Sequence, residues 1–195
     1  MRHRWRRRGA AGIALILALV GCGGGSEPSS SERPSTTTAP EAAMTPSTPA
    51  RTTIPGFGEV EVRIVEGPDG EPIVICVLVA DTPEQRARGL MGVTDLGGYD
   101  GMLFRFEDDA DGGFWMKDTL LPLSIAYLDA AGAVVSTADM DPCPEGTARC
   151  PSYAAAGPYR MALEVPQGGL DALGLTEGSP ARLEVTGETC RAPTT

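Results

Sequence analysis

The sequence predicts a compact α+β domain that is mostly β, with an antiparallel, barrel-like sheet, one main helix and one short helix. Period-two alternation is the first reason: Val60, Val62 and Ile64 share one face of a predicted strand, with charged residues opposite. The second reason is the continuous apolar run IVICVLVA at residues 73–80, which is typical of a central strand.

Further strands are predicted from the same alternation. It recurs in four later segments: 102–106, 123–127, 159–165 and 181–185. Asp-Gly at 111–112 and Ala-Gly at 131–132 supply turn residues between strands. Many short strands around few helices indicate a sheet that curls on itself.

The main helix is predicted to begin after Thr82. Thr82 and Gln85 have the spacing of a capping box, and Pro83 suits the first helical turn. An apolar face follows, and Gly92 is the predicted end. A second, short helix is predicted near residues 170–173.

The N-terminus has the pattern of a bacterial lipoprotein signal. Five arginines lie in residues 1–8, and an apolar run from 10 to 20 ends in Leu-Val-Gly directly before Cys22. That run is shorter than the roughly 20 apolar residues needed to span a bilayer. We expect residues 1–21 to be a signal peptide, Cys22 to be lipidated, and the exported protein to be anchored to the outer face of the cytoplasmic membrane.

The rest of the chain divides by composition. Residues 22–56 hold the lipidated cysteine and a Ser-, Thr- and Pro-rich stretch without apolar periodicity. Such a stretch buries too little surface to offset its ordering entropy, so we expect a disordered tether. Residues 57–191 have the length of one domain, and residues 192–195 form a tail.

Charge and histidine content exclude several function classes. Residues 1–21 carry five of the 16 basic residues and no acid, so 11 basic and 26 acidic residues remain, a formal charge of −15. That charge disfavours nucleic acid as a partner. The single histidine, His3, leaves with the signal, which removes histidine-based triads and metal sites. No catalytic residue, cofactor or metal ligand is predicted.

Four cysteines remain in the exported domain: Cys76, Cys143, Cys150 and Cys190. An even number in an exported domain indicates disulfides, with three connectivities open. Cys143 and Cys150 bracket a turn-like hexapeptide, so we favour that pair together with Cys76–Cys190. A zinc or redox site is the alternative, but CxxC spacing is missing.

Four sequence blocks resemble a known bacterial and archaeal family: residues 83–92, 101–106, 114–123 and 159–169. Together and in this order they are similar to the domain-of-unknown-function family 192. The resemblance implies a compact, mostly β domain with a helix, commonly exported, and it implies no activity. Asp118 and Ser124 stand where the family more often has Asn and Asp.

Residues 114–119 are the densest candidate site, with four candidate ligand-binding side chains: Trp115, Lys117, Asp118 and Thr119. Aromatic surface beside a few polar groups is how small ligands are usually held. The structural alternative is a strand that enters a turn, with Phe114 and Met116 in the core and Lys117 paired with an acid.

Arg86 and Arg88 are further candidates for ligand binding. Arginine binds carboxylate, sulfate or phosphate in a bidentate way. Two arginines on an exposed helix of an acidic protein are more often members of surface ion pairs, which is the alternative.

The favoured function is a non-enzymatic lipoprotein domain. Its partners would be the membrane, through lipidated Cys22, and a small ligand, a glycan or an envelope protein. The alternative is an extracytoplasmic, hydrolase-like enzyme that uses Lys117 and Asp118 with other carboxylates. A variant at Lys117 or Asp118 that folds but loses an activity would favour the enzyme.

Overall fold

The computed structural model describes residues 51–191. The predicted signal peptide, Cys22, most of the predicted tether and the tail lie outside the described residues. The described part contains nine strands and two short helices. In chain order they are β1 (Gly58–Val65), β2 (Ile73–Ala80), α1 (Pro83–Arg88), β3 (Gly101–Ala110), β4 (Gly113–Trp115), β5 (Leu123–Leu128), β6 (Val134–Met140), β7 (Ser152–Ala154), β8 (Tyr159–Pro166), α2 (Gly169–Leu173) and β9 (Arg182–Val185).

Seven strands form one curled sheet in the order β6-β5-β8-β3-β2-β1-β9, and β4 pairs with β7 in a second, small sheet. The edges of the large sheet meet at one point, where the Leu183 N–H donates to the Gly132 carbonyl at 2.9 Å. The sheet is therefore a half-barrel, and the mostly β fold with two short helices is confirmed. One pairing departs from the antiparallel prediction, since β2 and β3 run parallel. The long connection through α1 permits this, because parallel neighbours need a crossover.

Both faces of the large sheet are buried. On the face that α2 covers, called the inner face below, apolar side chains form one cluster: Val62, Ile64, Val77, Leu103, Leu163 and Leu170 are among them. Those of the outer face form a second cluster, under α1 and the small sheet: Leu78, Met102, Phe104, Ile125 and Tyr127 are among them. Successive residues of β3 and β8 therefore pack alternately into the two clusters. A polar residue on either strand can be buried even where alternation places it opposite an apolar one.

Helix α1 begins as predicted but ends earlier. The Thr82 side chain accepts a hydrogen bond from the Gln85 N–H at 3.2 Å, and the Gln85 side chain accepts one from the Thr82 N–H at 3.0 Å. The predicted end at Gly92 is wrong: the last helical residue is Arg88, and Gly89 caps the helix. Gly89 has φ 45°, in the left-handed region that glycine enters readily, and this turns the chain away.

Two disulfides join the four cysteines, Cys76 to Cys190 and Cys143 to Cys150, with Cα atoms 5.5 and 5.6 Å apart. Both distances are ordinary for a disulfide. The first bond ties β2 to the C-terminal segment across 114 residues. Glu59 lies beside this bond and is the third member of a group that could hold a metal ion. Because both sulfurs are in the disulfide, they are not free to act as thiolate ligands.

Contacts with the domain begin before residue 57, the predicted domain boundary. The Thr52 N–H donates to the Gly97 carbonyl at 2.8 Å, and the Arg88 guanidinium donates to the Pro55 carbonyl at 2.7 Å. Residues 51–56 thus pack on the folded domain beside the end of α1.

Candidate functional site

A pocket of about 330 Å³ opens on the outer face of the large sheet, beside α1 and β4. Its walls are largely aromatic: Phe104, Phe106, Phe114, Trp115 and Tyr159 line it. The aliphatic and thioether surface of Leu90 and Met91 completes the apolar lining. Apolar and aromatic walls of this kind are typical of small-molecule sites.

The aromatic side chains hold one another in place by edge contacts. The ring centroids of Phe104 and Phe114 are 4.7 Å apart and nearly perpendicular. Phe106 and Tyr159 make a second perpendicular contact at 5.3 Å. Edge-to-face geometry is the favoured one for aromatic pairs, so these contacts stabilise the positions of the rings.

The small sheet places Phe114 at the pocket. The Tyr127 hydroxyl donates to the Tyr153 carbonyl at 2.5 Å and accepts from the Phe114 N–H at 3.3 Å, which connects β5, β7 and β4. At Gly113 a Cβ would lie 2.2 Å from the Tyr153 carbonyl oxygen, so only glycine allows the two strands to come this close.

Glu164 lines the inner end of the pocket. It lies on β8 between Met102 of β3 and Ile125 of β5, and only 5% of its surface is exposed. Within residues 51–191 its carboxyl makes no side-chain hydrogen bond and no ion pair, and its oxygens are not among the fully enclosed unsatisfied atoms, so they face the cavity. Burial raises the pKa of this carboxyl to about 8. It is therefore mostly protonated at neutral pH and able to donate one hydrogen bond.

Thr119 brings a hydroxyl to the same pocket. It is 5% exposed, and its Oγ1 lies 3.3 Å from the Lys117 carbonyl. The Cys143 N–H donates to the Thr119 carbonyl at 2.8 Å, so the disulfide loop holds this residue in place. The pocket wall thus depends on the Cys143–Cys150 segment as well as on α1.

Arg86 and Arg88 both line the pocket, but their guanidinium groups are engaged elsewhere. Arg86 donates to the Asp81 and Arg105 carbonyls and stacks on Phe106 at 4.8 Å. Arg88 donates to a backbone carbonyl and stacks on Phe57 at 4.8 Å. Among the described residues neither arginine is in an ion pair, in contrast to the surface pairs considered above. They hold α1 over the sheet.

Lys117 and Asp118 point to a different depression. They form an ion pair of 3.0 Å with side chains 48% and 34% exposed, and they line a second cavity with the disulfide loop, residues 144–150. Met116 is buried, as the structural alternative predicts. Asp118 has φ 54°, a conformation that Asn and Asp tolerate best, which gives a backbone reason for either residue there.

The pocket therefore unites Arg86, Arg88, Trp115 and Thr119 and leaves out Lys117 and Asp118. Sequence reasoning did not single out Glu164, Phe104 or Phe106 as pocket residues. Period two places Glu164 opposite Leu163 and Val165, on the face that a one-sided sheet would leave in water. One signal could have found Glu164: it is the single acid in the otherwise apolar stretch MALEVP, residues 161–166. An acid inside such a stretch indicates a buried charge with a specific role.

In the described part of the chain, no helix has the length and apolar character needed to cross a membrane.

The comparisons with known proteins concern this same domain. No functionally curated protein matches the sequence. A crystal structure from Sinorhizobium meliloti 1021, provisionally named a transcription regulator, is 27% identical with a TM-score of 0.56, over 68% of this chain and 97% of that one. A protein of unknown function from Novosphingobium aromaticivorans DSM 12444 is 31% identical with a TM-score of 0.58, over 76% and 98% of the two chains.

A family model extends this likeness over most of the domain. It matches residues 64–183, from β1 to β9, and includes α1, both short strands of the small sheet and Glu164. The family is described as an uncharacterized one. The chain therefore belongs to the DUF192 family.

Proposed function

We propose that the protein is a cell-envelope lipoprotein whose domain binds a small molecule in the aromatic pocket above Glu164, without chemical turnover. The observation that carries the proposal is the buried Glu164 carboxyl, which borders the cavity and has no protein partner among the described residues. The lipobox-like sequence before Cys22 and the tether support the location.

A partnerless buried carboxyl needs a physical reason. A polar atom that is fully enclosed without a partner costs about 1–3 kcal/mol, but the Glu164 oxygens are not fully enclosed: they face the cavity, where water or a ligand reaches them. At Glu164 no packing need is evident, because an apolar residue of similar size would suit the neighbouring Met102 and Ile125 better. A ligand in the cavity could therefore hydrogen-bond to this carboxyl in place of water.

The contacts favour binding over the alternatives. A lysine that acts as a base or nucleophile needs desolvation, and Lys117 is half exposed and paired with Asp118. DNA binding, which the name of the Sinorhizobium protein would suggest, fits poorly with the predicted net charge of −15.

Native mass spectrometry of the full chain, isolated from an exporting bacterium, tests the proposal. We expect a native mass above the denatured mass, because a ligand held by the Glu164 carboxyl and the aromatic walls together should stay bound through purification. Ala87 lines the pocket and is exposed, so Ala87→Trp should block the mouth and remove the extra mass while the fold is kept.

The matched control is Ala131→Trp, at an exposed turn position away from the pocket. It should leave the extra mass in place. Equal native and denatured masses for the wild-type chain, or an extra mass that persists in Ala87→Trp, would argue against this site.

The membrane anchor has its own test. Replacing Cys22 by Ala removes the thiol that would be acylated, so we expect the protein to lose the lipid modification on that residue and the diacyl mass to disappear from the chain. Replacing Cys150 by Ala in parallel should leave the lipid in place. A wild-type chain without a lipid on Cys22 would contradict the lipoprotein proposal.

A further inference from the structure

We infer that the pocket is selective for organic ammonium ions, with the Glu164 carboxylate as the counter-ion and the surrounding aromatic faces as the walls. The inference rests on the proposed small-molecule site and names its ligand class. Two observations converge on it: the nature of the walls and the isolation of the carboxyl.

The walls suit a cation. Five aromatic rings line the cavity, and one of them, Phe106, already carries the Arg86 guanidinium at 4.8 Å, a cation on an aromatic face. An open ring face attracts a cation by about 0.5–2 kcal/mol, with the larger values in desolvated sites. A carboxylate at the inner end adds a charge partner and accepts the N–H bonds of an ammonium group. Neutral apolar ligands would use the rings but leave the carboxyl unpaired.

No charged group of the described residues pairs with Glu164, although Arg86 and Arg88 keep their positive charge at the pocket. Arg86 and Arg88 of α1 lie at the pocket, but their guanidinium groups are bound to backbone carbonyls and stacked on Phe106 and Phe57. Tyr159 of β8 and Tyr127 of β5 face the same core, and burial raises the pKa of both phenols, so they stay neutral. Burial is the cause of the raised pKa of the Glu164 carboxyl.

Binding of a cation must then release a proton. With a carboxyl pKa of about 8 in the free protein, the ionised fraction rises from about 1% at pH 6 to about half at pH 8. An ammonium ligand binds the ionised form, so its affinity should rise at least tenfold over this interval. A neutral hydrogen-bond acceptor would bind the protonated carboxyl and lose affinity as the pH rises.

The experiment titrates the purified full chain with benzylamine, protonated at both pH values, and with benzyl alcohol as its neutral analogue. The amide resonances of Gly89 and Gly113, which line the pocket, report occupancy. Glu164→Gln keeps the shape and removes the charge. Glu184→Gln, at an exposed position of β9, is the matched control.

Support for the inference is benzylammonium binding that moves both resonances, tightens at least tenfold from pH 6 to pH 8, and weakens at least tenfold in Glu164→Gln but not in Glu184→Gln. If benzyl alcohol binds equally well, or Glu164→Gln binds benzylammonium with wild-type affinity, the inferred ligand class is wrong, while the proposed binding site is retained. If neither probe moves the two resonances, both the ligand class and the proposed binding site are overturned.

Discussion

Replacement of Cys76 and Cys190 by alanine is expected to lower the free energy of unfolding by about 4–5 kcal/mol. The bond closes a loop of 114 residues, and in the chain-entropy model a loop of that length stabilises the fold by roughly 5 kcal/mol through its effect on the unfolded chain. Since small domains are stable by only about 5–15 kcal/mol, the variant should approach the unfolding threshold.

Cys143→Ala with Cys150→Ala is the internal comparison, because that bond closes a separation of only 7 residues. The same model gives about 2–2.5 kcal/mol for it. Urea unfolding of the oxidised wild type and both double variants measures the difference. Equal losses for the two disulfides would mean that loop length does not determine the stabilisation here.

Glu164→Gln is expected to stabilise the protein at pH 8.5 and to leave its stability at pH 4 unchanged. Burial raises the folded-state pKa of the carboxyl from a reference of 4.5 to about 8, so the folded state holds its proton more tightly than the unfolded state. The associated stability is fully present below pH 4.5 and is lost as the pH rises to about 8. Glutamine stays neutral and does not lose it.

The size of this effect follows from the shift. Each pKa unit corresponds to 1.36 kcal/mol, so the wild type should lose several kcal/mol relative to Glu164→Gln, with about 5 kcal/mol as an upper bound. The unfolding free energies of wild type and Glu164→Gln are measured at pH 4 and at pH 8.5. Subtracting one protein from the other at each pH cancels the contributions of all other titrating groups. Glu184→Gln should follow the wild type. A constant difference between wild type and Glu164→Gln at both pH values would mean that the carboxyl is solvated.

Local sequence signals predicted the elements of the fold well. Period-two alternation located β1, β3, β5 and β8, and the capping pair Thr82 and Gln85 located the start of α1. The end of α1 was missed because Leu90 and Met91 continue the helical apolar pattern although Gly89 has already turned the chain. The parallel pairing of β2 and β3 was missed as well, since strand order depends on long-range packing that no local pattern encodes.

The candidate site could be predicted only in part. Trp115 and Thr119 stood out because aromatic and polar residues are concentrated in one short block. Glu164 did not stand out. Alternation predicts only which face of the strand its side chain is on, and whether that face is buried depends on the second apolar cluster, which forms only in the fold. Lys117 and Asp118 attracted attention as charges but satisfy each other in water. Sites of this kind are assembled from distant segments, and their burial emerges only in the fold.

The most direct test of the Glu164 pocket is a ¹³C titration of the Glu164 side-chain carboxyl in the full chain, with and without saturating benzylamine. A buried carboxyl that borders a binding pocket should titrate near pH 8 in the free protein, and its pKa should fall when the ammonium ion binds. Titration near pH 4.5 in the free protein, unchanged by the amine, would contradict both the burial of this group and its role as the counter-ion of a ligand.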